Sequence, residues 1–540
     1  MIDSLALSWR NAERHERAAF VFVVVASLIS VLFSLAGFPA VGYDANVHLN
    51  WLDQFTRITA YSIAYPRWLP VSNGGFGSPT FYFYPPLEYW VASFFRLFLP
   101  YVPSPFYNLM ALVASVGSLF TFAVLARQYS GRPLIIATAT LAYSFLAYRF
   151  ADVFVRDALG EHWAMMFLPL LFLRMRGRFQ SIAVLSVAWV GLFLTDIPLA
   201  ILAGVSVAIT VVAERRIASL VEYGVSFVIA VAVGAIYLLP ATFLRVFIHP
   251  RHLWDIYIRT TGFAVLDLIR YHGWLRFFTV ATLGAGTLLL FIVSKKKAGS
   301  WWWIAFVAVL LQIPIFAPLW HWHEASLVQF SWRWNAILLL VVAVVFAFRP
   351  ARVMSAIMIG LALITIAGAI RLSNDFFLHL KLPLDAYRID APEYQPAWVP
   401  NDPEIIYAYA RHHIGDPPAM LLGLTGPRDS IALIHGTPTT ITFQVHLTRP
   451  APARFHLFYW PYWKAMKGSA KIALFPDPLG IATANLPSGN YRLELHLVKS
   501  REERLGSKIS LAGIVLLLAV IALAFIRKKR FTSQGRYASK

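Results

Sequence analysis

Apolar stretches about the length of a membrane span, roughly twenty residues, recur along the chain with short polar connections between them. They lie near 18–37, 105–126, 133–149, 161–175, 180–195, 197–213, 218–240, 275–294, 300–318, 333–348, 352–371 and 508–526. This pattern predicts twelve transmembrane helices, the shorter ones tilted or only partly facing lipid. Two stretches break it. Residues 42–87 (GYDANVHLNWLDQFTRITAYSIAYPRWLPVSNGGFGSPTFYFYPPL) are too polar and too rich in Gly and Pro to cross a membrane. Residues 372–507 are also polar, and their second half alternates in period two (TTITFQVHL, ARFHLFYW, YRLELHLV), with turns such as PSGN and KGSA between the runs. That predicts a small antiparallel β domain. The segment PLEYWVASFFRLFL after the first loop is apolar on one side and carries Glu88 and Arg96, which predicts an amphipathic helix lying along the surface.

The predicted fold class is therefore a polytopic α-helical membrane protein with a C-terminal extracytoplasmic β-rich domain. Residues 1–371 form the transmembrane module, with a first outer loop over 38–104. Residues 372–507 form the soluble domain, and 508–540 supply a last span and a basic tail. Composition agrees: 540 residues are 58% hydrophobic and only 14% charged, more apolar surface than a soluble chain buries. The net charge of +20 does not point to nucleic acid, because the cations fall in short runs between apolar segments. Arg127 and Arg132, Arg174 to Arg178, Arg215 and Arg216, Lys295 to Lys297, and Arg349 and Arg352 all fall on one side of a twelve-span count. So do the basic residues of both tails. By the positive-inside rule both termini are cytoplasmic. There is no Cys, which excludes disulfides and Cys-ligated metals. No small-residue cleavage site follows the first span, so that span is expected to stay as an anchor.

The chemistry-bearing residues collect on the outer side. Asp44 opens the first loop and reads either as an N-cap of ANVHLNWLDQF or as a general base or metal ligand. His48 follows at i+4 on the same helical face. Asp53, Arg67, Tyr82 and Tyr84 complete the loop's set. The turn DVFVRDALGEH brings Asp152, Arg156, Asp157 and Glu161 between two spans, where charges pair or line a polar cavity. Arg156 reads as half of an internal clamp with Glu161 or as a planar donor for phosphate. Arg333, between Trp332 and Trp334, reads as an interfacial anchor or as a second phosphate-binding cation. His249, His252, His321 and His323 lack an acidic partner at diagnostic spacing, so no metal site is assigned. NGGFGSP is a tight turn rather than a nucleotide loop, and no Walker A, GxSxG or HExxH motif occurs.

A first span, an outer loop opening with an acidic residue, juxtamembrane helices, many further spans and a C-terminal soluble domain resemble the GT-C superfamily of membrane glycosyltransferases. Four stretches are similar to the bacterial membrane family labelled "6-pyruvoyl-tetrahydropterin-synthase related": YDANVHLNWLDQF, YPRWLPVSNGGFGSPTFYFYPPL, DVFVRDALGEHWA and QFSWRW. The pterin label implies a soluble three-His zinc enzyme, and the sequence carries neither feature. The GT-C resemblance implies transfer of a sugar from a polyprenyl-phosphate donor to a glycan, lipid or protein acceptor on the outer face of a bacterial inner membrane, with inversion. It implies Asp44 as the base, with His48 beside it, and Arg67, Arg156 and Arg333 as partners of the departing phosphate. Asp53, Asp152, Asp157, Glu161, Tyr82 and Tyr84 support them. The acidic doublet common in the superfamily is absent, since Ala45 follows Asp44. Asp53, Asp152 and Asp157 stand as alternative bases, and no cofactor is assigned beyond room for a divalent cation such as Mg or Mn. Two other functions fit the same architecture: a transporter or flippase for a lipid-linked or polar solute, and a non-catalytic glycan-binding scaffold. The first of these needs charged or broken helices near the bilayer midplane, and the spans are nearly free of midplane charges.

Overall fold

The computed structural model describes residues 2–36, 44–61, 63–175, 177–215, 219–249, 273–320, 325–378, 390–400, 408, 417–422 and 426–537. His252, His321 and His323 lie outside these residues.

The helices are α1 (Ile2–Asn11), α2 (Arg14–Leu35), α3 (Ala45–Thr59), α4 (Leu87–Arg96), α5 (Pro103–Ala126), α6 (Pro133–Phe145), α7 (Tyr148–Phe154) and α8 (Leu159–Phe167). After them come α9 (Arg178–Phe193), α10 (Ile197–Ala213), α11 (Ser219–Phe243), α12 (Gly273–Ile292), α13 (Ser300–Leu310), α14 (Trp334–Phe348), α15 (Arg352–Leu378) and α16 (Arg501–Tyr537). Among the described residues, seven helices are long and apolar enough to cross a membrane, and four shorter apolar ones lie among them. With α8 and the 3-10 turn Leu168–Phe172 that continues it, these account for all twelve segments expected from the sequence. The protein is a polytopic helical membrane protein with a C-terminal β domain.

The connections grouped by charge meet at one end of the bundle. Arg132 pairs with Glu16 at 2.6 Å, the Arg174 N–H donates to Gln128 Oε1, and Arg174 pairs with Glu214 at 3.2 Å. Ser300 Oγ donates to Glu214 at 2.7 Å, and Trp301 Nε1 donates to the Tyr129 hydroxyl at 3.0 Å. The opposite end gathers α3, α4 and the β domain. One face of α4 buries Tyr89 and Ala92, and with them Glu88, while Phe94 and, just past the helix, Leu97 and Phe98 are exposed.

The span over 133–154 is broken. Ala147 takes φ 46° and ψ −115°, a strained conformation for a residue with a Cβ, and its N–H donates to Thr365 Oγ1 at 2.8 Å instead of continuing the helix. The break separates α6 from α7, which carries Asp152 on its last turn. Next to it, α8 approaches the α9–α10 corner closely. A Cβ on Gly160 would lie 2.6 Å from the Thr195 carbonyl oxygen and 2.7 Å from the Tyr84 hydroxyl. Gly160→Ala is expected to destabilise the protein by about 1–3 kcal/mol through overpacking against backbone. Thermal melting of the purified protein measures this, and an unchanged melt contradicts the close approach.

The β domain has strands β1 (Ala419–Leu421), β2 (Ser430–Thr437), β3 (Thr440–Leu447), β4 (Ala451–Phe458), β5 (Trp463–Lys467), β6 (Ala470–Ile472), β7 (Phe475–Pro476), β8 (Ile481–Leu486) and β9 (Gly489–Leu497). They form two antiparallel sheets, β1-β4-β8-β7 and β2-β3-β9-β5-β6. The three alternating runs of the sequence are β3, β4 and β9. Their inward residues, such as Phe443, Val445, Phe455, Leu493 and Leu495, form one core. That core continues into the first outer loop through Trp68, Phe76, Tyr82 and Phe83. The Phe458 N–H donates to the Phe76 carbonyl at 2.7 Å, and Phe76 stacks on His456 at 3.9 Å. Gly77 makes the turn possible: it has φ +83°, and the Trp68 ring stands where a side chain would go. The β domain is thus seated on the 68–83 stretch.

Candidate functional site

The turn from α7 into α8 builds the most charged buried cluster among the described residues. Arg156 Nη1 donates to Asp152 Oδ1 at 2.9 Å and to Glu161 Oε2 at 2.6 Å. Tyr148 donates its hydroxyl to Glu161 Oε1 at 2.9 Å. Arg333, just ahead of α14, brings Nε to 3.2 Å from the same Glu161 Oε2, and its Nη1 is 4.0 Å from Asp196. Both guanidiniums lie against the Phe330 ring, at 5.7 and 5.6 Å. Asp157 occupies the left-handed region (φ 62°), which Asp tolerates better than most residues, and this lets the chain reverse into α8.

The internal Arg156–Glu161 clamp is present, and a second guanidinium, Arg333, joins it. Glu161 holds both arginines, yet Arg333 Nε and Nη1 have no hydrogen-bond partner among the described residues. The 3.2 Å contact to Glu161 is an ion pair without hydrogen-bond alignment. Leaving a buried donor unmade costs about 1–3 kcal/mol. A ligand with acceptor oxygens would recover that energy.

Asp44 lies beside this cluster. It occupies the N-cap position of α3, but its side chain makes no capping hydrogen bond, and its N–H donates to the Arg156 carbonyl at 3.2 Å. Its half-buried carboxyl feels Arg156, Arg333 and Glu161; burial outweighs the arginines and raises its pKa above the usual carboxylate range. His48 is buried and does not bond Asp44. Its Nδ1 is 2.7 Å from the Tyr89 hydroxyl, and Trp51, Tyr84, Tyr89 and Tyr107 ring it. Burial, with help from Arg156, pushes the imidazole down to about 3, so it is neutral at physiological pH. Tyr84 packs on Trp51 at 4.6 Å, near Asp44.

Three expected residues are placed elsewhere. Asp53 pairs with Arg57 at 2.8 Å and lies 3.7 Å from Arg96, tying α3 to α4. Nine residues on, it is about 13 Å along the helix from Asp44. Arg67 donates to the Phe81 and Ile236 carbonyls at 3.2 and 2.6 Å and pairs with Glu503 at 3.5 Å. It also lies over the Tyr65 ring at 3.8 Å. This clamps the first loop to α11 and α16 and is separate from the Arg156–Arg333 cluster. Tyr82 belongs with Arg67 and Trp460.

Other residues also reach the site or lie near it. Asp196 caps α10 through the Leu199 N–H (2.6 Å) and faces Arg333. Glu393, on the turn Pro392–Tyr394, comes close enough to Asp44 for their charges to repel, and burial with that repulsion pushes it up to about 7. Glu88 is fully buried with both oxygens unpartnered among the described residues, and burial pushes its carboxyl well above the usual range. Arg149 is also fully buried; Nη2 donates to the His162 carbonyl at 3.1 Å, while Nε and Nη1 have no partner among the described residues. A charge inside YSFLAYRFADVF was a visible signal for Arg149; nothing local pointed to Glu393. His249 is half-buried, with Nε2 2.9 Å from the Val399 carbonyl oxygen. Among the described residues no group of three or more His, Asp and Glu is arranged to hold a metal ion.

No protein-family model matches the chain, and no curated protein matches it. Among solved structures it is similar to the single-particle cryo-EM structure of the arabinofuranosyltransferase AftD from mycobacteria, at 16% sequence identity and a TM-score of 0.42. That likeness covers 66% of this chain and 27% of AftD, so the chain spans about a quarter of AftD's length. A likeness this loose carries no functional weight.

Proposed function

We propose that the protein is a membrane glycosyltransferase of GT-C type: a sugar moves from a polyprenyl phosphate to a hydroxyl acceptor. The observation that carries this reading is the buried pair of guanidiniums, Arg156 and Arg333, gathered on one Glu161 oxygen beside Asp44, with two Arg333 donors unpartnered among the described residues. In a single displacement, Asp44 takes the proton of the acceptor hydroxyl as its oxygen attacks the anomeric carbon. The bond from that carbon to the phosphate oxygen breaks, and the phosphate leaves with its electron pair. Developing negative charge is met by Arg156 and Arg333, which are held in place before the reaction begins. Glu161 fixes both cations, and Arg67 holds the loop that carries Asp44's neighbours. Attack opposite the leaving group inverts the anomeric centre.

Orientation follows from charge. The end holding Arg132, Arg174 and Lys295 to Lys297 faces the cytoplasm, and the Asp44 end faces outward from a bacterial inner membrane. The test is release of free polyprenyl phosphate, read by mass spectrometry. The full chain in lipid nanodiscs is given polyprenyl-phosphate sugars and envelope glycan extracted from the source cells. Release by the wild type and loss with Arg333→Met support the reading; no release by the wild type contradicts it.

A further inference from the structure

Helix α16 is drawn tightly into α11 along its first half. A Cβ on Gly506 would lie 2.5 Å from the Ala235 carbonyl oxygen, and one on Gly513 would lie 2.6 Å from the Val233 nitrogen. Between them, Ser510 Oγ donates to the Val233 carbonyl at 2.7 Å. Farther along, α16 also meets α9, where its Leu517 and Val520 pack with Phe179 and Ile182. Beside that seam the small side chains of Ala183 and Ala524 let the two helix surfaces recede. A groove of about 490 Å³ is left between Gln180, Ala183 and Val187 of α9 and Ile521, Ala524 and Phe525 of α16. Its volume is that of a small-ligand site, and Gln180 is the one polar side chain in its lining. Val187 and Phe525 are exposed, so the groove opens at the outer surface of the bundle.

The groove has a charged end. Met175, the residue after Arg174, lines it, so this is the end of the bundle where Arg174 pairs with Glu214. Arg527 follows Phe525 by two residues, about 3 Å along the helix. It is exposed, and its guanidinium lies over the Phe179 ring, next to Gln180, at 4.5 Å. Among the described residues Arg527 makes no ion pair. Glu214 is already engaged by Arg174 at 3.2 Å and by Ser300 at 2.7 Å. After Arg527 the sequence adds Lys528, Lys529 and Arg530 and, as far as Lys540, no acid.

We infer that this groove is a site for an anionic phospholipid, with one acyl chain lying between α9 and α16 and the headgroup phosphate meeting Arg527. An apolar groove alone accepts the chain of any lipid. A cation at its end selects the negatively charged headgroup. Arg527 suits that task, because a guanidinium offers phosphate oxygens a planar fork of donors. The polyprenyl phosphate of the proposed reaction is a poorer occupant. Its phosphate belongs with Arg156 and Arg333, at the opposite end of the bundle, and cannot meet Arg527 as well. Lipid binding here requires no transferase activity, so the two readings stand or fall separately.

The test places the full chain in phosphatidylcholine nanodiscs with a small, equal fraction of one photoactivatable lipid: phosphatidylglycerol, phosphatidylcholine or polyprenyl phosphate, each with a diazirine on its hydrocarbon chain. After illumination the labelled peptides are mapped by mass spectrometry. Phosphatidylglycerol is expected to label the peptides holding 180–187 and 521–525 at least about fivefold more than phosphatidylcholine does, the effect of one cation near a headgroup. Arg527→Gln is expected to lower that preference about fivefold while phosphatidylcholine labelling persists, which a misfolded variant would not show. Val187→Trp fills the groove from its exposed side and is expected to reduce labelling there by both phospholipids, with labelling of α5 unchanged. The inference is overturned if the two phospholipids label the groove equally or not at all, or if either variant labels as the wild type does. Stronger labelling of the groove by polyprenyl phosphate than by phosphatidylglycerol also overturns it.

Discussion

Asp44→Asn is expected to lower sugar transfer about 10²- to 10⁴-fold, the range typical of removing a general base. Asparagine keeps the shape of the side chain and is as good an N-cap residue as aspartate. Asp44 makes no capping bond in any case, so α3 and the melting temperature should be unchanged. Measured rates therefore report on the base and not on the fold. The pH profile adds a second check. The base must be ionised, and its pKa is raised because burial outweighs the attraction of Arg156 and Arg333. Wild-type transfer should then fall as pH drops through a midpoint above about 4, the ordinary aspartate value. The residual activity of Asp44→Asn should lack that midpoint. A variant with near-normal transfer and a normal melt would remove Asp44 from the chemistry.

Glu161→Ala is expected to be the most destabilising single change in the cluster, by about 3–5 kcal/mol, the cost of leaving a buried charge unpaired. Glu161 is about 1% exposed and holds Arg156, Arg333 and the Tyr148 hydroxyl together. Among the described residues, removing it leaves two guanidiniums side by side with Asp152, Asp196 and the nearby Asp44 to balance them. Glu161→Gln keeps the acceptor for Tyr148 and loses the charge, so its melt should fall between wild type and Glu161→Ala. Thermal melting of the purified protein in one detergent measures all three. If Glu161→Ala melts as the wild type does, the two cations are not held by this carboxylate.

Much of the fold was legible because its signals are local. Hydropathy runs located every span, and the placement of Lys and Arg grouped the connections that meet around Glu16, Arg174 and Glu214. Period-two alternation found β3, β4 and β9. The cluster of Asp152, Arg156 and Glu161 was legible for the same reason: its members lie within ten residues of one another. Contacts between distant segments were not. Trp51 and Asp390 are 339 residues apart, and no local pattern foretells the hydrogen bond from Trp51 Nε1 to the Asp390 carboxylate. Arg67 looked like a phosphate cation because it sits in the loop with Asp44, but tertiary packing spends its donors on Phe81, Ile236 and Glu503. Glu88 read as the polar edge of an amphipathic helix, yet the corner around Gly160 and Thr195 covers it completely. The break at Ala147 is set by Thr365 on another helix, so the apolar run through it looked continuous.

The central claim is that the Asp44 end of the bundle performs sugar transfer, and the most direct measurement is made in cells. The gene is deleted, then complemented with wild type or with Asp44→Asn, and the mass and sugar composition of the surface glycans are determined. The account predicts that deletion removes a sugar which the wild type restores and Asp44→Asn does not. Surface glycans unchanged by the deletion, or fully restored by Asp44→Asn, would contradict it.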